Sequence, residues 1–151
     1  MTTATTTPVR PAPPAPTLSV LRLNIMRIGY LLMSVGLAIV KWPALLHAER
    51  WTLFGGVVNC ILVAMSILAF FGLRYPRQLL PLLLFESIWK VLWLGLVAIP
   101  LWTDGRLAGD TADVASDCLY VVIILAVIPW DHVYRQYLAQ PGDPWWRRRA
   151  S

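Results

Sequence analysis

The stretch that decides the fold is residues 79–102, LLPLLLFESIWKVLWLGLVAIPLW. This run exceeds the about 20 apolar residues that a helix needs to cross a bilayer. Its only charged residues are Glu86 and Lys90, which lie four residues apart and can meet on one helix face. Each charge alone costs roughly 2.5–3.5 kcal/mol at the centre of a membrane helix on insertion scales. The stretch therefore predicts a membrane-spanning helix with a charged pair near its middle.

Three further apolar stretches have a similar character. The chain of 151 residues is 58% hydrophobic and only 14% charged, whereas soluble domains are about a quarter charged. We predict an all-α membrane protein, a four-transmembrane-helix bundle with short loops that occupies residues 20–138. The predicted spans are residues 22–42, 52–73, 79–102 and 115–130.

The basic residues alternate between the predicted connections. Nine precede or open the first span, lie between the second and third spans, or follow the fourth: Arg10, Arg22, Arg27, Arg74, Arg77, Arg135, Arg147, Arg148 and Arg149. The other two connections carry three, Lys41, Arg50 and Arg106. Because cytoplasmic loops carry the excess of Lys and Arg, this split predicts that both termini are cytoplasmic. The net charge of +5 is thus explained by topology, and we expect no nucleic-acid partner.

The two ends of the chain differ from the apolar middle. Residues 1–19 are rich in Thr, Pro and Ala, a composition that predicts a disordered cytoplasmic tail. Residues 139–151 form a basic tail that contains tryptophan. Indole rings favour the membrane interface, and cations favour anionic lipid head groups. We therefore expect a lipid-interface anchor made of Trp145, Trp146, Arg147, Arg148 and Arg149.

Polar side chains form stripes on three of the predicted spans. Because residues three and four apart share a helix face, the third span presents its charged pair and two indoles together. A polar stripe that faced lipid would leave donors unpaired, so we expect the three stripes to face inward. The predicted intramembrane polar site consists of Glu86, Lys90, Trp89, Trp93, Tyr30, Ser34 and Asn59. The fourth span has almost no polar side chain between Tyr120 and Trp130 and is expected to close the bundle as an apolar wall.

Small residues on the second span suggest close helix packing. Gly56, Cys60 and Ala64 recur at intervals of four, the spacing that lets two helix backbones approach. We favour packing inside the bundle over a homodimer face, and we expect Cys60 to be a free thiol in the core.

Two short patterns carry resemblances. The first span, from Arg27 through Gly29 and Gly36 to Lys41 and Trp42, resembles the opening helix of DoxX-like small membrane proteins. The whole chain is also similar to uncharacterised small bacterial four-span membrane proteins that share the Phe-Glu-x-x-Trp-Lys run of residues 85–90. These resemblances imply a bacterial inner membrane and supply no activity.

Three classes of function remain open. The first expectation is a scaffold or accessory subunit of a membrane assembly, with the polar core as internal glue. The alternative is binding or transport of a small polar or amphipathic molecule at Glu86 and Lys90, as an oligomer in the case of transport. An enzyme ranks last, because the sequence shows no metal-ligand cluster, nucleophile set or cofactor motif. The expected partners are the lipid bilayer and either further copies of the chain or a larger complex.

Overall fold

The computed structural model describes residues 18–140, which fold into helices joined by turns with no strand among them. We number five helices: α1 (Val20–Leu45), α2 (Leu53–Gly72), α3 (Leu80–Thr103), α4 (Asp110–Val127) and α5 (Trp130–Ala139). By length and composition, α1, α2 and α3 can each cross a membrane. The bent pair α4 and α5 provides a fourth span if the two count as one. The all-α prediction is confirmed, with three or four candidate spans.

The first two helices begin at side-chain caps. Ser19 accepts a hydrogen bond from the Arg22 backbone N–H at 3.3 Å, and Thr52 accepts one from the Gly55 N–H at 3.1 Å. These bonds satisfy backbone donors that have no partner in the first turn of a helix. A short 3-10 turn, Ala48–Arg50, joins the two helices. The observed α1 is longer than the predicted span 22–42 by two residues at its start and three at its end.

Two prolines shape α3. Pro81 lies in the first turn, where a missing N–H costs nothing because that group has no intrahelical partner. Pro100 lies deep in the helix, where its ring crowds the preceding turn and its backbone cannot donate. The chain widens into a π-helical turn at Leu94–Ala98 immediately before it and then resumes α-helix at Ile99–Thr103. This local adjustment lets α3 continue past the proline.

The fourth helix does not have its predicted limits. It begins at Asp110, not at residue 115, because Gly109 takes φ 57° and the acidic Asp110 and Asp113 favour the positive end of the helix dipole. It ends at Val127, not at residue 130, since Ile128 precedes Pro129 and takes an extended conformation. The chain then bends by 73° into α5. Part of the connection expected between the predicted spans 79–102 and 115–130 is therefore helix.

The buried core lies where α1, α3 and α4 meet the end of α2. α1 has its largest interface with α2, while α4 packs against both α3 and α1. The core cluster comprises Met26, Tyr30, Met33, Ala69, Leu80, Leu83, Ile124 and Ile128. In the most apolar windows of α1, α2 and α3, only 28%, 17% and 22% of residues are buried. Most apolar side chains therefore face outward, a distribution that is compatible with a membrane protein.

Close backbone approach occurs at glycines other than those expected. A Cβ on Gly72 would overlap the ring of Tyr30, and one on Gly29 would come within 2.8 Å of a Val127 methyl group. By contrast, Cys60 and Ala64 are exposed. The prediction that the small-residue stripe of α2 packs inside the bundle is wrong. The face of α2 that packs against α1 contains Gly72, which contacts Tyr30, and does not contain this stripe.

The predicted tails fall largely beyond the residues that the structure describes. Residues 1–17 and 141–151 lie outside the described part of the chain, and these include the predicted interface anchor Trp145, Trp146, Arg147, Arg148 and Arg149.

Candidate binding site at the Glu86–Lys90 pair

The carboxylate of Glu86 is almost completely buried, with 2% of the side chain exposed. Its Oε1 lies 2.9 Å from Nζ of Lys90, and its Oε2 accepts a hydrogen bond from Nε1 of Trp89 at 2.8 Å. Both partners come from α3 itself, at the three- and four-residue spacings that place side chains on one face. The helix thus supplies both a countercharge and a neutral donor to its own buried acid.

Lys90 extends this network to a second helix. Its side chain is 13% exposed, and Nζ also donates to the backbone carbonyl of Asp117 on α4 at 3.4 Å. The ammonium lies 5.6 Å from the centre of the Trp89 ring, within the range of a cation–π contact. A lysine ammonium has three N–H donors, and these contacts engage two of them.

The pair lies in the wall of a cavity of about 330 Å³ between α1, α3 and α4. This volume is at the small end of the roughly 300–1,000 Å³ typical of ligand pockets. Half of the twelve lining residues are apolar: Leu32, Met33, Leu37, Val40, Ile123 and Ile124. The remaining lining residues are Gly36, Lys41, Glu86, Lys90, Asp117 and Tyr120. A few polar groups on apolar walls are the usual composition of a small-molecule site.

Two residues predicted for this site make other contacts. The Tyr30 hydroxyl donates to the carbonyl of Pro76 at 2.9 Å, beside the turn between α2 and α3. Ser34 donates to the Leu31 carbonyl of its own helix at 3.2 Å, and its backbone carbonyl accepts from Ser66 on α2 at 2.8 Å. The bonds donated by Ser66 and Tyr30 join α1 to α2 and to the turn after it, away from the cavity lining.

Asn59 and Trp93 also do not line the cavity, although both are partly buried. Of the predicted set, the structure brings together Glu86, Trp89 and Lys90. The expected convergence of three polar stripes fails because α2 packs mainly on α1 and touches α3 only lightly. The helix that does reach the charged pair is α4, through the backbone carbonyl of Asp117, which precedes the predicted apolar segment. Ile123 and Ile124 of that segment line the cavity with apolar side chains.

Sequence reasoning missed Lys41 and Asp117 as parts of the site. Helical spacing contained a signal for both. Lys41 follows Leu37 and Met33 at intervals of four, and Asp117 precedes Tyr120 and Ile124 at intervals of three and four. All six residues line the cavity.

The charges around the cavity differ in how they are paired. Glu86 and Lys90 neutralise each other. Within residues 18–140, the side chains of Lys41 and Asp117 form no ion pair. The same part of the chain contains no group of three or more His, Cys, Asp or Glu side chains placed to hold a metal ion. The arrangement can hold an organic ligand by charge and apolar contact.

Comparisons with protein-family profiles, with curated proteins and with solved structures found no match to this chain.

Proposed function

We propose that this chain is an integral membrane protein that binds a small amphipathic molecule in the cavity beside Glu86 and Lys90. The observation that carries the proposal is the position of the buried charged pair, which lies in the wall of an apolar cavity of about 330 Å³. Ionisable groups at membrane depth are rare, and they commonly mark substrate or ion pathways.

The proposal includes a membrane arrangement. α1, α2, α3 and α4 would be the four spans of a bacterial inner-membrane protein, with both termini cytoplasmic. The nine-to-three distribution of basic residues supports this orientation. Reporter fusions after Trp102 and after Ser151 should then indicate opposite sides of the membrane, and matching signals from the two fusions would contradict the arrangement.

A role in binding accounts for the cavity better than a structural pin does. A purely structural Glu–Lys pair needs only its two partners and close packing, and dense packing is the ordinary condition of a protein interior. Here Lys90 is joined to α4 through a carbonyl, yet α1, α3 and α4 leave an open volume next to it. The open volume is what a ligand would occupy.

Gly36 allows a direct test, since it lines the cavity and a Cβ built on it meets no atom within 4 Å. Gly36→Phe should fill the cavity without disturbing the helix backbone. Gly95 is the matched control, because it is equally unobstructed but lies away from the cavity.

The experiment is purification from native membranes followed by mass spectrometry of bound small molecules. A molecule that accompanies the unaltered chain and Gly95→Phe, and is depleted from Gly36→Phe, would support the proposal. Equal amounts in all three preparations, or none in the unaltered chain, would overturn it.

A second candidate function is that of a scaffold or accessory subunit in a membrane assembly. It is favoured by the small residues Gly56, Cys60 and Ala64, of which Gly56 is half-buried and the other two are exposed, because small residues at this spacing let another helix approach closely. Oxidative cross-linking in native membranes tests it, with Cys60→Ser as the control. Since Cys118 is buried, a cross-link should depend on Cys60. Its mass would distinguish a homo-oligomer from a hetero-complex, and the lack of any product would count against this role.

A further inference from the structure

We infer that the ligand of the cavity is a single-chain amphiphile with one acidic head group, held by Lys41 and Lys90. This inference rests on the proposed binding function and specifies its ligand class. Three observations support it: some polar atoms at the cavity already have hydrogen-bond partners, other charged side chains have no ion-pair partner within residues 18–140, and the apolar volume is small.

Glu86 is a poor partner for a ligand even though it lines the cavity. Both of its carboxylate oxygens are engaged, one by Lys90 and the other by the Trp89 indole. A cationic ligand that approached Glu86 would have to displace one of these donors. Because Glu86 is only 2% exposed, the displaced charge interactions would be lost in a nearly water-free environment.

Hydrogen-bond donors, in contrast, remain on the two lysines. Lys90 has one N–H left after its contacts with Glu86 and the Asp117 carbonyl. Lys41 forms no ion pair within residues 18–140 and lines the same cavity. Two ammonium groups beside an apolar volume suit an acidic head group, which accepts charge-assisted hydrogen bonds from both.

Asp117 opposes such a ligand and limits its position. Its carboxylate is exposed and unpaired within the described residues, and it lines the α4 side of the cavity. An acidic head group is therefore expected on the side of α1 and α3, next to the lysines. Removal of the Asp117 charge should strengthen the binding of an acidic ligand. The same change should weaken the binding of a cationic ligand.

The apolar walls indicate the rest of the molecule. The apolar lining comes from two helices, with Leu32, Met33 and Leu37 on α1 and Ile123 and Ile124 on α4. About 330 Å³ lies near the lower limit for ligand pockets. A cavity of this size suits a single short acyl chain.

The test uses three probes with the same ten-carbon chain: decanoate, decanol and decyltrimethylammonium. Each is titrated calorimetrically into the full chain in phosphatidylcholine nanodiscs, with empty nanodiscs as the baseline. We expect decanoate to bind most tightly. Lys41→Gln should weaken decanoate binding by about tenfold, the usual effect of losing one hydrogen bond to a charged group. Asp117→Asn should strengthen it.

Gly36→Phe and Gly95→Phe show whether the binding occurs in the cavity. Loss of decanoate binding in Gly36→Phe, with binding retained in Gly95→Phe, supports the inference. If decyltrimethylammonium or decanol binds more tightly and Gly36→Phe abolishes that binding, the inference fails but the proposed cavity function stands. If all three probes bind equally to the unaltered chain and to Gly36→Phe, or none binds, both the inference and its cavity are overturned.

Discussion

The interface between α1 and α2 and the cavity between α1, α3 and α4 use the same first helix in opposite ways. At the α2 interface the backbones approach closely, so that a Cβ on Gly72 would overlap the Tyr30 ring. At the cavity, a Cβ on Gly36 would meet nothing within 4 Å. One side of α1 is in close contact with α2, and another side borders the open volume of the cavity.

The polar groups of the two regions differ as well. Along α2 and the turn after it, hydroxyl groups donate to backbone carbonyls, as Ser66 does to Ser34 and Tyr30 does to Pro76. At the cavity, side-chain charges face one another and a donor remains available on Lys90. Hydrogen bonds are therefore present in both regions and do not distinguish them. The proposed binding site is distinguished by the combination of charged side chains with unfilled volume.

The largest expected effect comes from separating the charged pair. Glu86→Gln leaves the Lys90 ammonium without its countercharge and should lower the free energy of unfolding by about 3–5 kcal/mol. Combining Glu86→Leu with Lys90→Leu removes both charges and should restore much of that loss, because apolar replacement of a buried pair is often neutral or stabilising. Thermal unfolding in mild detergent measures both effects.

Function should not follow stability in these variants if the pair belongs to a binding site. The double leucine variant should fold, insert into the membrane and fail to retain the bound molecule. Full recovery of ligand retention, or of growth in a complementation assay, would make the pair a structural pin.

A second pair of variants tests the contrast in packing on α1 directly. Gly72→Ala should destabilise the protein by about 1–3 kcal/mol, because the new methyl group must displace the Tyr30 ring. Gly36→Ala should instead stabilise it by roughly 0.5–1 kcal/mol, the usual gain for this change inside a helix. If the unfolding midpoints of both variants shift in the same direction from that of the unaltered chain, the proposed difference between the two sides of α1 is contradicted.

Smaller effects are expected from the hydrogen bonds on the packed side. Tyr30→Phe removes the donor to the buried Pro76 carbonyl and should cost about 1 kcal/mol. Tyr75→Phe is the matched control, since the Tyr75 side chain is exposed and should tolerate the change. Neither variant should alter ligand retention. Loss of the ligand from Tyr30→Phe would show that the two regions are coupled.

The smallest expected effect concerns the exposed pair Arg22 and Asp131, which joins α1 to α5. Loss of water contacts raises the pKa of Asp131. The hydrogen bond and charge of Arg22, a backbone hydrogen bond and the charge of Arg135 lower it by more, so the pKa lies below its ordinary value. The pair therefore stabilises the fold above the ordinary aspartate pKa of about 3.9 and ceases to do so as the pH falls through the lowered pKa.

Asp131→Asn should accordingly be less stable than the unaltered chain at pH 7, and the two unfolding curves should converge in acid. High salt should reduce the difference at pH 7, because both side chains are about half exposed. A difference that grows as the pH falls would refute this account of the pair.

The sequence contained enough information for the middle helices but not for the fourth. The apolar lengths of α2 and α3 set their limits to within a residue or two, since such runs have few alternative boundaries. Asp110 and Asp113 suggested a loop, yet acids are favourable in a first helical turn. Pro129 stops the helix before Trp130, so the indole that suggested the end of a span belongs to the next helix.

The charged pair itself could be predicted from spacing, because Glu86 and Lys90 lie on one helix and need no knowledge of neighbouring elements. The cavity could not. Lys41 and Asp117 reach it only because α4 packs against both α3 and α1, and neighbour relations among helices are not encoded in the periodicity of any single one. The expected place of Asn59 in the site failed for the same reason.

The contacts of Glu86 have a consequence for the insertion of the proposed membrane protein. Its two acceptor atoms are satisfied by Lys90 and Trp89, both within one turn of the same helix. The network can thus form as soon as α3 coils, before any other helix has arrived. We expect α3 to enter the bilayer as a neutral segment at a cost well below that of two separate charges. The insertion of α3 then does not depend on the order in which the other helices are synthesised.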